Sequence, residues 1–275
     1  MKFIHKNGSF ELGSKTFIMG ILNVTPDSFY DGGLYNSPEK ALQQTLKMVQ
    51  DGADIIDIGA NSTRPGANIL SAEEELSIIK EYIPYLTANV NSVFSVDTFY
   101  PEVAEFALNN GVSIINDISG VFNPKMAETV KKHKCGWVIM YNGRNYIKNL
   151  EDNRSITENV TDFFAETLKK CEDFGIPSEY IMFDAGIGFT ESYNDDIELI
   201  KNTSLIKNKN CALLTALSNK RVIKNSSGAE GEDRLYGTVA ANVLAVAGSA
   251  DFVRVHNVKE NRLALNTADK IIRGI

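Results

Sequence analysis

Asp54-Ile55-Ile56-Asp57-Ile58-Gly59-Ala60-Asn61-Ser62-Thr63-Arg64-Pro65-Gly66 joins two kinds of polypeptide. Its first half is an apolar run of strand length, and its second half is a polar loop punctuated by Gly and Pro. A buried strand opening into such a loop is the pattern of a binding-site mouth, where a rigid scaffold ends and side chains become free for chemistry.

Working outward, the same alternation recurs from Phe17 onward. Strand-length apolar runs fall at Phe17–Leu22, Asp54–Ile58, Val93–Val96, Ser113–Asn116, Trp137–Met140, Tyr180–Phe183, Ala212–Leu217 and Phe252–Val255. Segments of helical period separate them, near 38–51, 71–88, 101–110, 124–134, 156–174, 195–208, 236–249 and 258–273. Helix starts are signalled by Ser37-Pro38, by Ser71 with Glu74, and by Pro101-Glu102. Gly52, Gly111 and Gly175 follow helix ends, where a positive φ is wanted. Ahead of this series, residues 3–12 alternate around Lys6-Asn7-Gly8 and predict a short β-hairpin that plugs or flanks the bottom of the fold.

Eight strand–helix pairs with apolar, largely unpatterned strands predict an α/β fold, a (β/α)8 TIM barrel with a short N-terminal β-hairpin. An open doubly wound sheet would carry a glycine fingerprint after its first strand, and no G-x-G-x-x-G follows Leu22. With no linker or shift in composition, the expectation is one domain over residues 1–275.

Composition narrows the function. Of the 275 residues 43% are hydrophobic, enough for a substantial core, and the net charge of −7 offers no basic stripe for nucleic acid. Cys135, Cys171 and Cys211 share no metal or redox spacing and read as reduced thiols of a cytoplasmic protein. The apolar run Phe17–Leu22 is too short for a signal sequence or a membrane span, so no membrane partner is expected.

In a barrel, chemistry belongs at the C-terminal ends of the strands. Every predicted strand delivers a polar side chain there: Asn23, the Asn61–Arg64 loop, Asp97-Thr98, Asn116-Asp117, Tyr141-Asn142, Asp184, Ser218 with Lys220, and Arg254 with His256. Asp97, Asn116, Asp184 and Lys220 suit the edge of a flat heterocycle, with carboxylates accepting from ring N–H groups. Arg254 and His256, two apart on one strand face, suit an anion clamp, joined by Arg64 and Asn23. Asp57, inside an apolar strand, reads as a structural carboxylate that accepts hydrogen bonds from a neighbouring loop and steadies the base of the 61–66 loop.

These motifs carry a resemblance. Asn23-Val-Thr-Pro-Asp-Ser-Phe-Tyr-Asp-Gly-Gly33, Ser62-Thr-Arg-Pro-Gly66, Ser95-Val-Asp-Thr98, Ile115-Asn-Asp-Ile118, Asp184 with its glycines, Lys220 and Arg254-Val-His256 are similar to the dihydropteroate synthase family over nearly the whole chain. The resemblance implies a transferase of folate biosynthesis that joins 7,8-dihydropterin-6-ylmethyl diphosphate to 4-aminobenzoate by an SN1-like displacement of diphosphate, and that is a sulfonamide target. It implies pterin binding by Asp97, Asn116, Met140, Asp184 and Lys220. Diphosphate binding falls to Asn23, Arg254 and His256, with Mg²⁺ held at Asn23. The first two loops would close over the site, with Phe29, Thr63, Arg64 and Pro65, and with Ser218, shaping the aminobenzoate pocket. Asp31, Arg64 and Lys220 take catalytic roles, and the family implies a homodimer.

The chain departs from the family pattern at Asn61 (usually Glu), Tyr141-Asn142 (for His-Met), Ala185 (for Pro), and Asn219 and Arg221 (for Arg and Ser). Three other readings use the same residues. A pterin-binding paralogue would show no turnover with aminobenzoate, and a methyltetrahydrofolate–corrinoid methyltransferase would not need the Ser-Thr-Arg-Pro-Gly and Arg-Val-His motifs. An aldolase acting through a Lys220 Schiff base would be trapped by borohydride.

Overall fold

A computed structural model describes residues 1–24, 37–61, 69–146 and 154–274. Strands β1 (Lys2–His5) and β2 (Gly8–Glu11) form the antiparallel hairpin. The strands β3 (Phe17–Asn23), β4 (Ile55–Gly59), β5 (Val93–Asp97), β6 (Ile114–Asp117), β7 (Gly136–Met140), β8 (Ile181–Asp184), β9 (Ala212–Thr215) and β10 (Phe252–Val255) form a closed parallel barrel, β10 pairing with both β9 and β3. Around it lie α1 (Pro38–Gln50), α2 (Ala72–Asn89), α3 (Pro101–Asn109), α4 (Pro124–His133), α5 (Ile156–Asp173), α6 (Tyr193–Lys201), α7 (Thr203–Ile206), α8 (Arg221–Ser227), α9 (Arg234–Ala247) and α10 (Val258–Arg273).

The apolar strands are two interleaved patterns, one for each face. Phe17, Met19, Ile55, Ile114, Val138, Met182, Leu214 and Phe252 turn into the lumen and form one core. Their neighbours, among them Ile18, Ile56, Phe94, Ile115, Trp137 and Val253, pack outward against the helices as a second. Both sets are apolar because both faces of the sheet are covered. The alternation then delivers every second residue at the strand ends to the lumen mouth.

The hairpin plugs the bottom. Phe3 is fully buried in the lumen core, 5.7 Å ring to ring from Phe252, and Phe10 lies 4.9 Å from Phe17. Gly136 at the start of β7 answers to this plug, since a Cβ there would stand 2.6 Å from the Phe3 Cζ.

The expected caps are present. Ser71 and Glu74 make a reciprocal capping box, Ser37 caps α1 through the Lys40 amide, and Gly52, Gly111 and Gly175 have φ of +100°, +96° and +86°. Three elements differ from the sequence reading. The expected 195–208 helix starts earlier, at Tyr193 behind a Ser192–Asp195 capping box, and breaks at Asn202. Strand β9 stops at Thr215, short of Leu217. The polar stretch after it contains α8, whose only buried residues are Val222 and Ile223, too few for an apolar period to register.

Candidate active site

At the lumen mouth the strand ends converge on Arg254. Its Nε donates to Asp57 Oδ2 at 2.7 Å and its Nη2 to Asp97 Oδ2 at 2.7 Å, tying β10 to β4 and β5 across the barrel. Asn116 Nδ2 donates to the same Asp57 Oδ2 at 3.0 Å. That bond fixes the amide, since only its nitrogen can face a carboxylate, and so turns Asn116 Oδ1 away. Asn116 Oδ1 and Asp57 Oδ1 are both buried without a hydrogen-bond partner among the described residues. A pair of orphaned acceptors inside a barrel mouth calls for a ligand that brings N–H donors.

At this mouth burial works against charge while pairing supports it. Burial raises the Asp97 carboxyl above its ordinary range, opposed by Arg254 and reinforced by Asp57, Glu75 and Asp117. Burial likewise raises Asp184 and lowers Lys220, with each opposing the other's shift through their opposite charges. Arg254 moves the other way, since the attraction of Asp57 and Asp97 outweighs its burial and keeps the guanidinium charged.

Beside this centre, Asp184 Oδ1 accepts from the Gly186 amide at 2.9 Å. Gly186 has φ +69°, and a Cβ on it would lie 1.8 Å from the Tyr141 carbonyl oxygen, so the turn after β8 admits only glycine. This turn sets Lys220, whose Nζ donates to the Ile187 carbonyl and lies 5.2 Å from the Phe189 ring centroid. Arg144 reaches the same ring from the β7 side at 5.7 Å. Two residues before Lys220, Ser218 Oγ accepts from the His256 amide at 3.2 Å and meets His256 Nδ1 at 2.9 Å. In the neutral ring the hydroxyl donates to Nδ1 and leaves the proton on Nε2.

A family model described as pterin binding enzyme matches residues 19–256. The chain belongs to the pterin-binding enzymes. It is 38% identical to the dihydropteroate synthase of Clostridium beijerinckii over 266 residues, covering 96% of this chain and 97% of the relative. A solved Clostridium difficile dihydropteroate synthase, crystallised in the presence of pteroic acid, superimposes with a TM-score of 0.88 at 37% identity, covering 96% of this chain and 99% of the other. The Xanthomonas albilineans dihydropteroate synthase with 4-aminobenzoic acid gives 0.86 at 34% identity, covering 94% of each.

Several residues of this pterin-binding enzyme sit otherwise than its sequence suggested. Asp97, Asn116, Met140 and Asp184 fall on lumen-facing positions by the alternation that turns Ile114, Val138 and Met182 inward, and Lys220 lies within electrostatic reach of Asp184 and Asp97. Asp57 receives its hydrogen bonds from Asn116 and Arg254 on other strands and not from a loop, because it too points into the lumen. Arg254 is engaged by the carboxylates of Asp57 and Asp97. Ser218 pairs with His256, merging residues assigned to different substrates. Asp117 is turned to the outer face, where it accepts from the Ser119 amide at 2.9 Å. Asn23 closes β3 at the mouth. Phe29, Asp31, Thr63, Arg64 and Pro65 lie outside the described residues.

Sequence reasoning missed Phe189 and Arg144. The signal for Phe189 was Gly186-Ile187-Gly188, whose glycines mark a close backbone approach just before it. Arg144 had none, because nothing in the chain order relates it to Phe189.

Proposed function

We propose that this chain is a dihydropteroate synthase, joining 7,8-dihydropterin-6-ylmethyl diphosphate to 4-aminobenzoate and releasing diphosphate. The observation that carries the reading is the pair of orphaned acceptors, Asp57 Oδ1 and Asn116 Oδ1, in a barrel mouth that also holds the buried carboxyl of Asp184. A reduced pterin presents an amino group and ring N–H groups along one edge, and this edge suits those oxygens. Asp97, Asn116, Asp184 and Lys220 bind the heterocycle, and Met140 packs against it.

The reaction breaks the bond between the pterin methylene carbon and the diphosphate oxygen, which departs with both electrons. The aniline nitrogen then bonds to that carbon and loses a proton. In an SN1-like path the protein supplies no nucleophile; it orients the two substrates and excludes water. Arg254, His256 and Asn23 face the diphosphate end. Arg254 arrives already charge-balanced by Asp57 and Asp97, so it works as an oriented donor more than as a net positive charge. Ser218, Phe29, Thr63, Arg64 and Pro65 form the aminobenzoate side, and Asp31, Arg64 and Lys220 are assigned to catalysis.

Mg²⁺ belongs to the same proposal as a companion of the substrate. Among the described residues no group of three or more His, Cys, Asp or Glu could hold a metal ion, so the donor set does not fit a resident one. Mg²⁺ commonly binds through phosphate oxygens plus one or two protein oxygens, and Asn23 offers one. A homodimer is proposed on the apolar side chains that α9 and α10 leave exposed, Tyr236 at 76%, Leu244 at 63% and Leu263 at 62%. No described helix is long and apolar enough to cross a membrane, and the three buried free thiols suit a cytoplasmic setting.

The test is diphosphate release from the pterin diphosphate with and without 4-aminobenzoate, with dihydropteroate measured as product. Release that depends on aminobenzoate supports the synthase. Tight pterin binding without such release would overturn it.

A further inference from the structure

Helix α9 is apolar but for a few side chains, and three of these, Arg234, Thr238 and Asn242, are spaced four apart and share one face. Thr238 and Asn242 are buried. A helix laid against a barrel needs only apolar contacts there, so each buried polar group must answer to a partner. Asn219, between Ser218 and Lys220, is the first. Its backbone is left-handed, φ +59°, a conformation that asparagine tolerates better than most residues. The Asn219 amide donates to Thr238 Oγ1 at 3.2 Å, and its carbonyl accepts from Arg234 Nη1 at 3.4 Å. Gly237 lets α9 come this near, since a Cβ on it would stand 2.7 Å from Ile223 Cγ2 on α8, the helix that opens directly after Lys220.

One turn along the same face, Asn242 Nδ2 donates to Asn261 Oδ1 at 2.8 Å, and Asn261 Nδ2 donates to the Asn257 carbonyl at 2.8 Å. A carbonyl can only accept, so the direction of both amides is fixed. Asn257 follows His256, as Asn219 follows Ser218. One stripe of α9 therefore holds the residue after each member of the Ser218–His256 pair, whose own bonds run from the His256 amide and from Nδ1 to Ser218 Oγ. Asn242 Oδ1 is buried without a hydrogen-bond partner among the described residues, a cost that an apolar residue between α9 and α10 would avoid. The amide is thus a poor choice for packing and a suitable one for holding Asn261.

We propose that Thr238 and Asn242 are positioning residues that hold the turns after β9 and β10 together, keeping Ser218 Oγ on His256 Nδ1 so that the imidazole presents its N–H at Nε2 to the diphosphate. The substrate half of this statement rests on the synthase reading. The tautomer follows from the hydrogen bond at Nδ1, because a ring nitrogen that accepts from a hydroxyl carries no proton of its own.

Thr238→Val, Thr238→Ser and Asn242→Leu test it. Nitrogen NMR of the His256 ring, recorded without substrate at about pH 8, above the ordinary imidazole range, reads the tautomer, and steady-state kinetics follow on the same samples. The wild-type ring is expected in the Nε2–H form. Thr238→Val, which keeps the shape and removes the acceptor, and Asn242→Leu should each give a mixture of tautomers and lower kcat/KM for the pterin diphosphate by about three- to tenfold, the scale of one lost hydrogen bond. Thr238→Ser keeps the hydroxyl and should restore both readouts. A single Nε2–H form retained in the valine and leucine variants would overturn the proposal, as would a changed tautomer with unchanged kcat/KM. Should Asn242→Leu fail to fold, Asn242→Ala, which cuts the same link without added bulk, takes its place. A wild-type chain without turnover would sink the synthase reading, while the tautomer, read without substrate, would still confirm or overturn the hold of α9 on His256.

Discussion

Arg254 Nε lies 2.7 Å from Asp57 Oδ2, a contact between residues 197 positions apart that reaches from β10 past β3 to β4. Asp57 is fully buried, and removing it leaves Arg254 with Asp97 alone and the Asn116 amide without its acceptor. Asp57→Ala is therefore expected to destabilise the fold by about 1.5–3 kcal/mol, the scale of lost hydrogen bonds to a charged group, and Asp57→Asn, which still accepts a hydrogen bond, by clearly less. Urea unfolding measures both. A cost below ~1 kcal/mol for the alanine variant, the level of a surface pair, would show that the pair does not hold the strands together.

The pterin end depends on Asp184. Hydrogen bonds to charged groups contribute ~1.5–3 kcal/mol, so Asp184→Asn should weaken pterin diphosphate binding by roughly 10- to 100-fold. Calorimetric titration gives the affinity directly. An unchanged dissociation constant would remove Asp184 from the pocket.

Glu75 gives stability a pH dependence of defined sign. Burial raises its carboxyl from 4.5 to about 7, aided by Glu102 and opposed by hydrogen bonds from Thr98 and Asn61; Asp97 and Tyr100 are the other titratable groups it acts upon. Between those values the folded chain keeps a proton that the unfolded chain has lost, so stability falls as pH rises through the window. Asp97 and Asp117 contribute with the same sign. The Glu75 share is isolated by subtraction: Glu75→Gln should flatten the decline between pH 4.5 and 7, and parallel curves would refute the assignment.

Two glycines with the same backbone separate strain from space. Gly186 and Gly228 have φ of +69° and +70°, but a Cβ meets the Tyr141 carbonyl at 1.8 Å in the first and nothing within 4 Å in the second. Gly228→Ala should cost only ~1–2 kcal/mol of left-handed backbone strain. Gly186→Ala must in addition displace the turn that sets Asp184 and Lys220, so it should lower the melting temperature further and weaken pterin binding. Equal melting temperatures would contradict this.

What could be read in the sequence was local. Strand and helix periods, Ser and Pro at helix starts and glycines past helix ends are properties of a few consecutive residues. Eight repeats of that unit suffice to predict the barrel and to place polar strand ends at one mouth. Helix α8 escaped because two buried apolar residues make no period, and the break at Asn202 because no Gly or Pro marks it.

The tertiary structure decided who pairs with whom at the mouth. That Arg254 is held by Asp57 and Asp97, that Ser218 meets His256, and that Phe189 lies beside both Lys220 and Arg144 are contacts between residues brought together only by closure of the barrel. The Asn61–Glu75 bond likewise joins two elements of the fold, and neither residue type announces it. The sequence by itself determined the scaffold and the kinds of groups at its rim, because short-range periodicity and capping are written along the chain. The charge state and orientation of those groups came from burial and long-range pairing, which are properties of three dimensions alone.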